Sequence, residues 1–147
     1  MANTLTNAAR KRFLEGKINW ATATLKCTLA NNQLAKLDAN SVNMATAETL
    51  GAIVQPTVRL SNATATEDGA ATADNVTFAK VAPPGSGQNA VGTYNMVVIY
   101  EETGAADAWA QCTPIALIDS ATGLPITANG GDITVTWDTG ANKIFKL

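Results

Sequence analysis

The sequence predicts an all-β fold, a β-sandwich of the jelly-roll or immunoglobulin-like kind, with seven to eight short antiparallel strands and a short N-terminal helix. Three observations carry that expectation. Apolar and polar residues alternate with a period of two in several short segments, most plainly where Ile133, Val135 and Trp137 interleave with Asp132, Thr134 and Thr136. Clusters of Gly, Pro, Asn and Asp punctuate the chain between these segments. Ala, Thr and Asn are heavily used while aromatics stand at 5%, and small or β-branched residues suit flat sheet surfaces. The 147 residues read as one domain, 1–147, in which 1–17 form a helical N-terminal arm. That length buries roughly two-thirds of the surface the unfolded chain exposes.

The elements follow in order. Thr6 or Asn7 caps a helix through Ala8 to Glu15 that puts Leu5, Ala9 and Phe13 on one face and stops at Gly16. Ile18 and Trp20 lead into Thr22 to Leu29, a half-buried strand in which Ala23, Leu25, Cys27 and Leu29 alternate with polar partners. From Ala30 to Ala52 the pattern breaks down, with a short helical turn near Leu34 to Leu37. Structureless loops beyond ~12–15 residues are uncommon, so this stretch is either a packed excursion or an arm that orders against a neighbour. Ile53 to Leu60 is a strand broken or edged by Pro56, which cannot donate to a ladder.

Asn62 to Asp74 reads as a turn region, and Asn75 to Ala79 as a strand with Val76 and Phe78 inward. Pro83 to Asn89 is the clearest loop. Tyr94 to Tyr100 is a near-continuous apolar run rich in β-branched residues, the pattern of a central strand covered on both faces. Glu101 and Glu102 close it as a solvated edge. Cys112 to Asp119 is the next strand, with Pro114 near its beginning, and Thr122 to Pro125 turns toward the end of the chain. The end itself reads as a β-hairpin: Ile133 to Trp137 going out, Asp138 to Asn142 turning, Lys143 to Leu147 returning, and Trp137 facing inward.

Composition excludes several function classes. Net charge is −2, so no electrostatic footprint for nucleic acid is present. Charged residues make up 15% against a typical ~25%, which leaves a surface another protein can cover at little desolvation cost. Histidine is absent, removing the commonest general base and metal ligand. Glu101 and Glu102 are adjacent and point apart, a poor acid/base pair. Asp68 with Gly69, or Asp132 alone, lacks the converging oxygens of a calcium site. Gly130 and Gly131 precede a strand, not the helix that a phosphate loop needs. The expectation is therefore a protein that is not an enzyme, with no catalytic, cofactor-binding or metal-binding residues.

Cys27 and Cys112 are expected as buried small hydrophobes, with one disulfide as the alternative. The start of the chain lacks an apolar signal region and no run reaches the ~18 apolar residues of a membrane span, so a soluble protein made without a secretion signal is expected. Asn62-Ala-Thr64 and Asn75-Val-Thr77 match the glycosylation pattern only by chance in that context. For interaction, the basic cluster Arg10, Lys11 and Arg12, with Phe13 beside it, is either a solvated helix face or a docking patch for an acidic partner. Trp20 and Trp109, like Trp137, are core or interface anchors.

Several segments, in order, resemble a known family. Asn7-Ala-Ala-Arg-Lys-Arg-Phe-Leu-Glu-Gly-Lys-Ile-Asn-Trp20, running into Thr22-Ala-Thr-Leu-Lys-Cys-Thr-Leu29, resembles the start of a family of small tailed-bacteriophage virion proteins. That start reads roughly "AKxxFLxGxIxW" followed by a strand "DTIKVALV". Val97 to Gly104, Pro114 to Asp119, Gly123-Leu-Pro125, Gly130 to Asp138 and Lys143 to Leu147 extend the likeness over about half the chain. The middle departs, with Thr49-Leu-Gly-Ala-Ile-Val54 where the family carries a Gly-Tyr-rich stretch. The resemblance implies a virion structural protein of β-sandwich type, made in the host cytoplasm.

Taken with the low-charge surface, the expected role is a capsid decoration or cement protein on the outer face of the head, bridging subunits of the major capsid protein. It would self-associate as a trimer at a lattice symmetry axis. The other reading is a tail or baseplate component that engages the host surface, with Trp109 or the Pro83 to Asn89 loop contacting glycan or receptor.

Overall fold

The computed structural model describes residues 3–47, 52–54, 57–83, 93–106, 108–141 and 143–147. The chain runs β1 (Thr4–Leu5), α1 (Asn7–Leu14), β2 (Leu25–Ala30), α2 (Asn32–Ala35), a 3-10 turn (Met44–Ala47), β3 (Val58–Arg59), β4 (Thr64–Ala65), β5 (Ala70–Thr72) and β6 (Val76–Phe78). It continues through β7 (Thr93–Tyr94), β8 (Met96–Glu102), a 3-10 turn (Trp109–Gln111), β9 (Cys112–Ile118), β10 (Ile126–Thr127), β11 (Ile133–Val135) and β12 (Phe145–Lys146). The fold is all-β with a short N-terminal helix, as the alternation predicts. One five-stranded sheet has the order β1-β9-β8-β2-β3, and three small sheets pair β10 with β7, β11 with β6, and β12 with β5 and β4.

The apolar run of β8 is central to the large sheet and buried along almost its whole length. Its side chains alternate between two cores. Val97 and Ile99 join Leu25, Cys27, Leu29, Phe78, Tyr94 and Ile115 on one face. Met96, Val98 and Tyr100 join Leu37, Met44, Trp109 and Leu117 on the other. The first core is closed by the small sheets, whose Val135, Trp137, Ile144 and Phe145 pack against it. The second is closed by the excursion after β2, where Ala35, Leu37 and Met44 are fully enclosed. In the single chain the described part of that stretch is a packed cover.

The same cover changes the reading of β2. It was expected to be half-buried, yet Thr28 is as buried as Leu29, because Ile53 and Val54 return beside it. The Thr28 hydroxyl donates to the Val54 carbonyl at 3.2 Å, which satisfies this polar group on the covered face.

The predicted terminal hairpin does not form. Ile133, Thr134 and Val135 pair with Phe78, Thr77 and Val76, whereas Phe145 and Lys146 pair with Ala71 and Ala70. The two segments run along successive parts of one antiparallel partner, and do not fold back on each other. Ile133 and Phe145 are twelve positions apart while their partners Phe78 and Ala71 are seven apart, so the end of the chain carries five extra residues there. The turn signal that begins at Asp138 falls within this longer connection. Trp137 anchors the departure: its backbone N–H donates to Asn75 Oδ1 at 3.1 Å and its indole N–H to the Asp74 carbonyl at 2.8 Å. These bonds hold it to β6, leaving it half-buried and not fully inward.

The Asn62 to Asp74 turn region holds a hairpin, β4 and β5, around Gly69 at a φ of 83°. Its strands consist of Ala and Thr, which carry no large apolar signal, yet Ala70 and Ala71 are buried. The strands are more numerous and shorter than the seven or eight expected. Both cysteines are buried free thiols, Cys27 in one core and Cys112 in the other, and desolvation pushes the Cys27 thiol pKa far up. Pro56 and the Pro84 to Asn89 part of the expected loop lie outside the described residues.

Ile99 touches no solvent and sits between β2 and β9. Ile99→Ala is expected to destabilise the fold by about 2–5 kcal/mol, read from the denaturant midpoint. Val42→Ala, at a residue 68% exposed, is expected to stay within about 0.5 kcal/mol of the parent.

Candidate interaction surface

Helix α1 is fixed to the sheet at its N-cap, Thr6. The Thr6 N–H donates to the Ile115 carbonyl at 3.0 Å and its hydroxyl donates to the Pro114 carbonyl at 2.5 Å. The same oxygen caps the helix, accepting from the Ala9 N–H at 3.1 Å. Those two carbonyls lie at a bulge. Ile99 faces Ala116 while Tyr100 faces Pro114, so Ile115 has no opposite number. Pro114 thus stands inside β9 where the ladder is already irregular.

Once docked, α1 has two faces. Ala9 and Phe13 turn inward, with the Phe13 ring 6.2 Å from that of Phe145. Asn7, Arg10, Lys11 and Leu14 recur at helical spacing on the outward face and are all exposed. Leu14 is 90% exposed, the most exposed large apolar side chain among the described residues.

The basic cluster is divided by this geometry. Arg12 turns toward the sheet and donates to Glu101 Oε2 from Nη2 at 2.7 Å and from Nε at 3.2 Å. Glu101 was expected at a solvated edge. It lies within β8 with its side chain only 8% exposed, because the strand runs two residues further than the apolar run and places it under α1. Beside it Glu102 meets Lys26 at 2.9 Å. Lys11 reaches Glu15 at 2.9 Å, and Lys17 reaches the same carboxylate at 2.8 Å. Hydrogen bonds from Lys17 and Lys11 lower the Glu15 pKa to about 2, although so exposed a cluster adds little stability. Arg10 and Lys11 thus remain on the outer face, and Arg12 is a structural tie.

Two of the tryptophans, Trp20 and Trp109, are interior. Trp20 is buried, donates its indole N–H to the Thr72 carbonyl at 3.0 Å and meets Phe145 edge-on with ring centres 5.0 Å apart. Trp109 is buried against Tyr100 at 5.6 Å. Both are core anchors of the single chain.

Two surface features escaped the sequence reading. Leu14 is one; its signal was an apolar residue at i+3 and i+4 from Lys11 and Arg10, on the polar side of the helix. The other is a set of cross-strand threonine pairs, one on each small sheet. The hydroxyls of Thr64 and Thr72 lie 2.6 Å apart, those of Thr77 and Thr134 3.0 Å, and those of Thr93 and Thr127 3.4 Å. These are exposed, uncharged contacts between strands. Among the described residues no three Cys, Asp or Glu side chains converge as metal ligands, and no helix is long and apolar enough to cross a membrane.

Arg12→Ala leaves the Glu101 carboxylate enclosed without its cation and is expected to cost about 1–3 kcal/mol. Arg10→Ala, on the same helix but facing solvent, is expected to change stability by less than about 0.5 kcal/mol. Urea unfolding of the two variants side by side checks the division.

No family model matches the chain, and neither a curated protein nor a solved structure matches it.

Proposed function

We propose that this chain is a non-enzymatic structural protein of a bacteriophage virion, acting as a capsid decoration or cement protein that bridges major capsid subunits on the outer face of the head. The observation that carries this reading is the outward stripe of α1. Arg10 and Lys11 flank Leu14, which is 90% exposed and held on a helix pinned to the sheet through Thr6. An apolar residue beside Arg10, and beside Lys11 with its exposed Glu15 pair, on a helix docked to the sheet is suited to bury against an acidic partner surface. The threonine pairs support it, since uncharged hydroxyl faces are covered by protein at lower desolvation cost than charged ones. The resemblance of Asn7 to Leu29 and Gly130 to Leu147 to small phage virion proteins points the same way.

A protein that binds only the assembled lattice stabilises it by mass action. Self-association into a trimer at a symmetry axis belongs to the same proposal. The tail reading loses one of its two contacts, because Trp109 is enclosed against Tyr100.

Deleting residues 1–17 would strip Leu5, Thr6 and Ala9 from the interior, so docking is tested by a point change. Leu14→Asp keeps the fold and is expected to weaken binding to empty heads at least about tenfold, the effect of losing one buried apolar anchor. Antibody labelling of intact particles is expected to decorate the head. Label confined to the tail, or unchanged binding by the Leu14→Asp protein, would sink the proposal.

A further inference from the structure

Strands that end two different sheets line a single trough. β1 is the last strand of the five-stranded sheet and β12 the last of the three-stranded one, and both border a cavity of about 480 Å3. A second hollow of about 410 Å3 continues it, sharing Asn3, Ile118, Asp138, Lys143 and Ile144. Leu5, Ile118, Ile144 and Phe145, from the margin of the first core, form the apolar part of its floor, beside polar groups such as Asn3 and Thr4. Asp138 and Lys143, from the connection between β11 and β12, form part of its wall.

The rim carries three cations, Arg10, Lys143 and Lys146, against one carboxylate, Asp138. Arg10 borders the trough from the exposed side of α1 and has no ion pair among the described residues. Lys143 holds a left-handed backbone at a φ of 51° and donates its ammonium to the Thr139 carbonyl at 2.9 Å. Lys146 meets Asp68 at 3.0 Å, a pair in which both side chains are substantially exposed and which solvent screens. Asp138 is engaged by the Gly140 N–H at 3.0 Å. The excess charge of the rim is positive.

We propose that the trough takes an extended acidic segment of a partner protein, laid along β1 as an added strand. Main-chain groups of an edge strand supply affinity in this mode, and pockets for alternate side chains supply specificity. Successive side chains of an extended segment point to opposite sides. One set would fill the floor at Leu5, Ile144 and Phe145 while the other brings carboxylates to Arg10 and Lys143. A free anion such as phosphate would leave the apolar floor uncovered, which is why a peptide is favoured. The proposal stands whether or not the partner belongs to a virion.

The test is titration of the full, isotope-labelled chain with an acetylated eight-residue peptide of alternating Val and Asp, followed by amide resonances. A peptide with Lys in place of each Asp is the control. The expected result is shifts centred on Thr4, Leu5, Ile144 and Phe145 with the acidic peptide alone, and affinity about five- to tenfold weaker in Arg10→Glu, where one attraction becomes a repulsion. Equal response to both peptides, shifts centred elsewhere, or none at millimolar peptide would overturn it. So would concentration-dependent shifts at the trough without peptide, which would put a second copy of the chain there.

Discussion

Everything else in this fold depends on β8 being buried on both faces. A strand reading Met-Val-Val-Ile-Tyr from Met96 to Tyr100 has no side that can be given to water, so the chain must supply two covers. One is built from the small sheets and the end of the chain, the other from the excursion after β2. The two acidic residues that finish the strand follow from the same constraint. Glu101 and Glu102 continue a buried ladder, and each is met by a cation at less than 3 Å, Arg12 from α1 and Lys26 from β2. Carboxylates there without partners would carry a desolvation cost that the strand could not sustain.

What was legible in the sequence was whatever a large apolar residue at a regular spacing announces. The helix with its Thr6 cap, the central strand and its neighbours at Leu25 and Cys112, and the inward Val76 and Phe78 all belong to that class. Pairing partners were not legible. Ile133 to Val135 and Phe145 to Lys146 look like a hairpin because a turn signal lies between them, but a turn signal marks where a strand stops and does not say which strand comes next to it. The β4–β5 hairpin was invisible for a different reason: Ala and Thr pack closely without contrast between their faces.

The candidate surface was half legible. The cluster at Arg10, Lys11 and Arg12 is visible in the sequence, but a helix turns successive residues by about 100°, and only the docking of α1 decides that Arg12 goes to Glu101 while its neighbours face out. Leu14 gains meaning only from that division. Trp20 and Trp109, the most conspicuous interface candidates by residue type, are used up inside, because two cores of modest size need large side chains to close them.

In this chain the carboxylates that end β8 are paired internally, and helix α1 holds an apolar side chain, Leu14, toward solvent between Arg10 and Lys11. The most direct check is side-chain footprinting of the protein on the assembled particle against the free protein. If α1 is the docking face, labelling at Leu14 falls several-fold on the particle while that of the exposed Leu147 changes less. Leu14 labelled equally in both states would contradict the docking account.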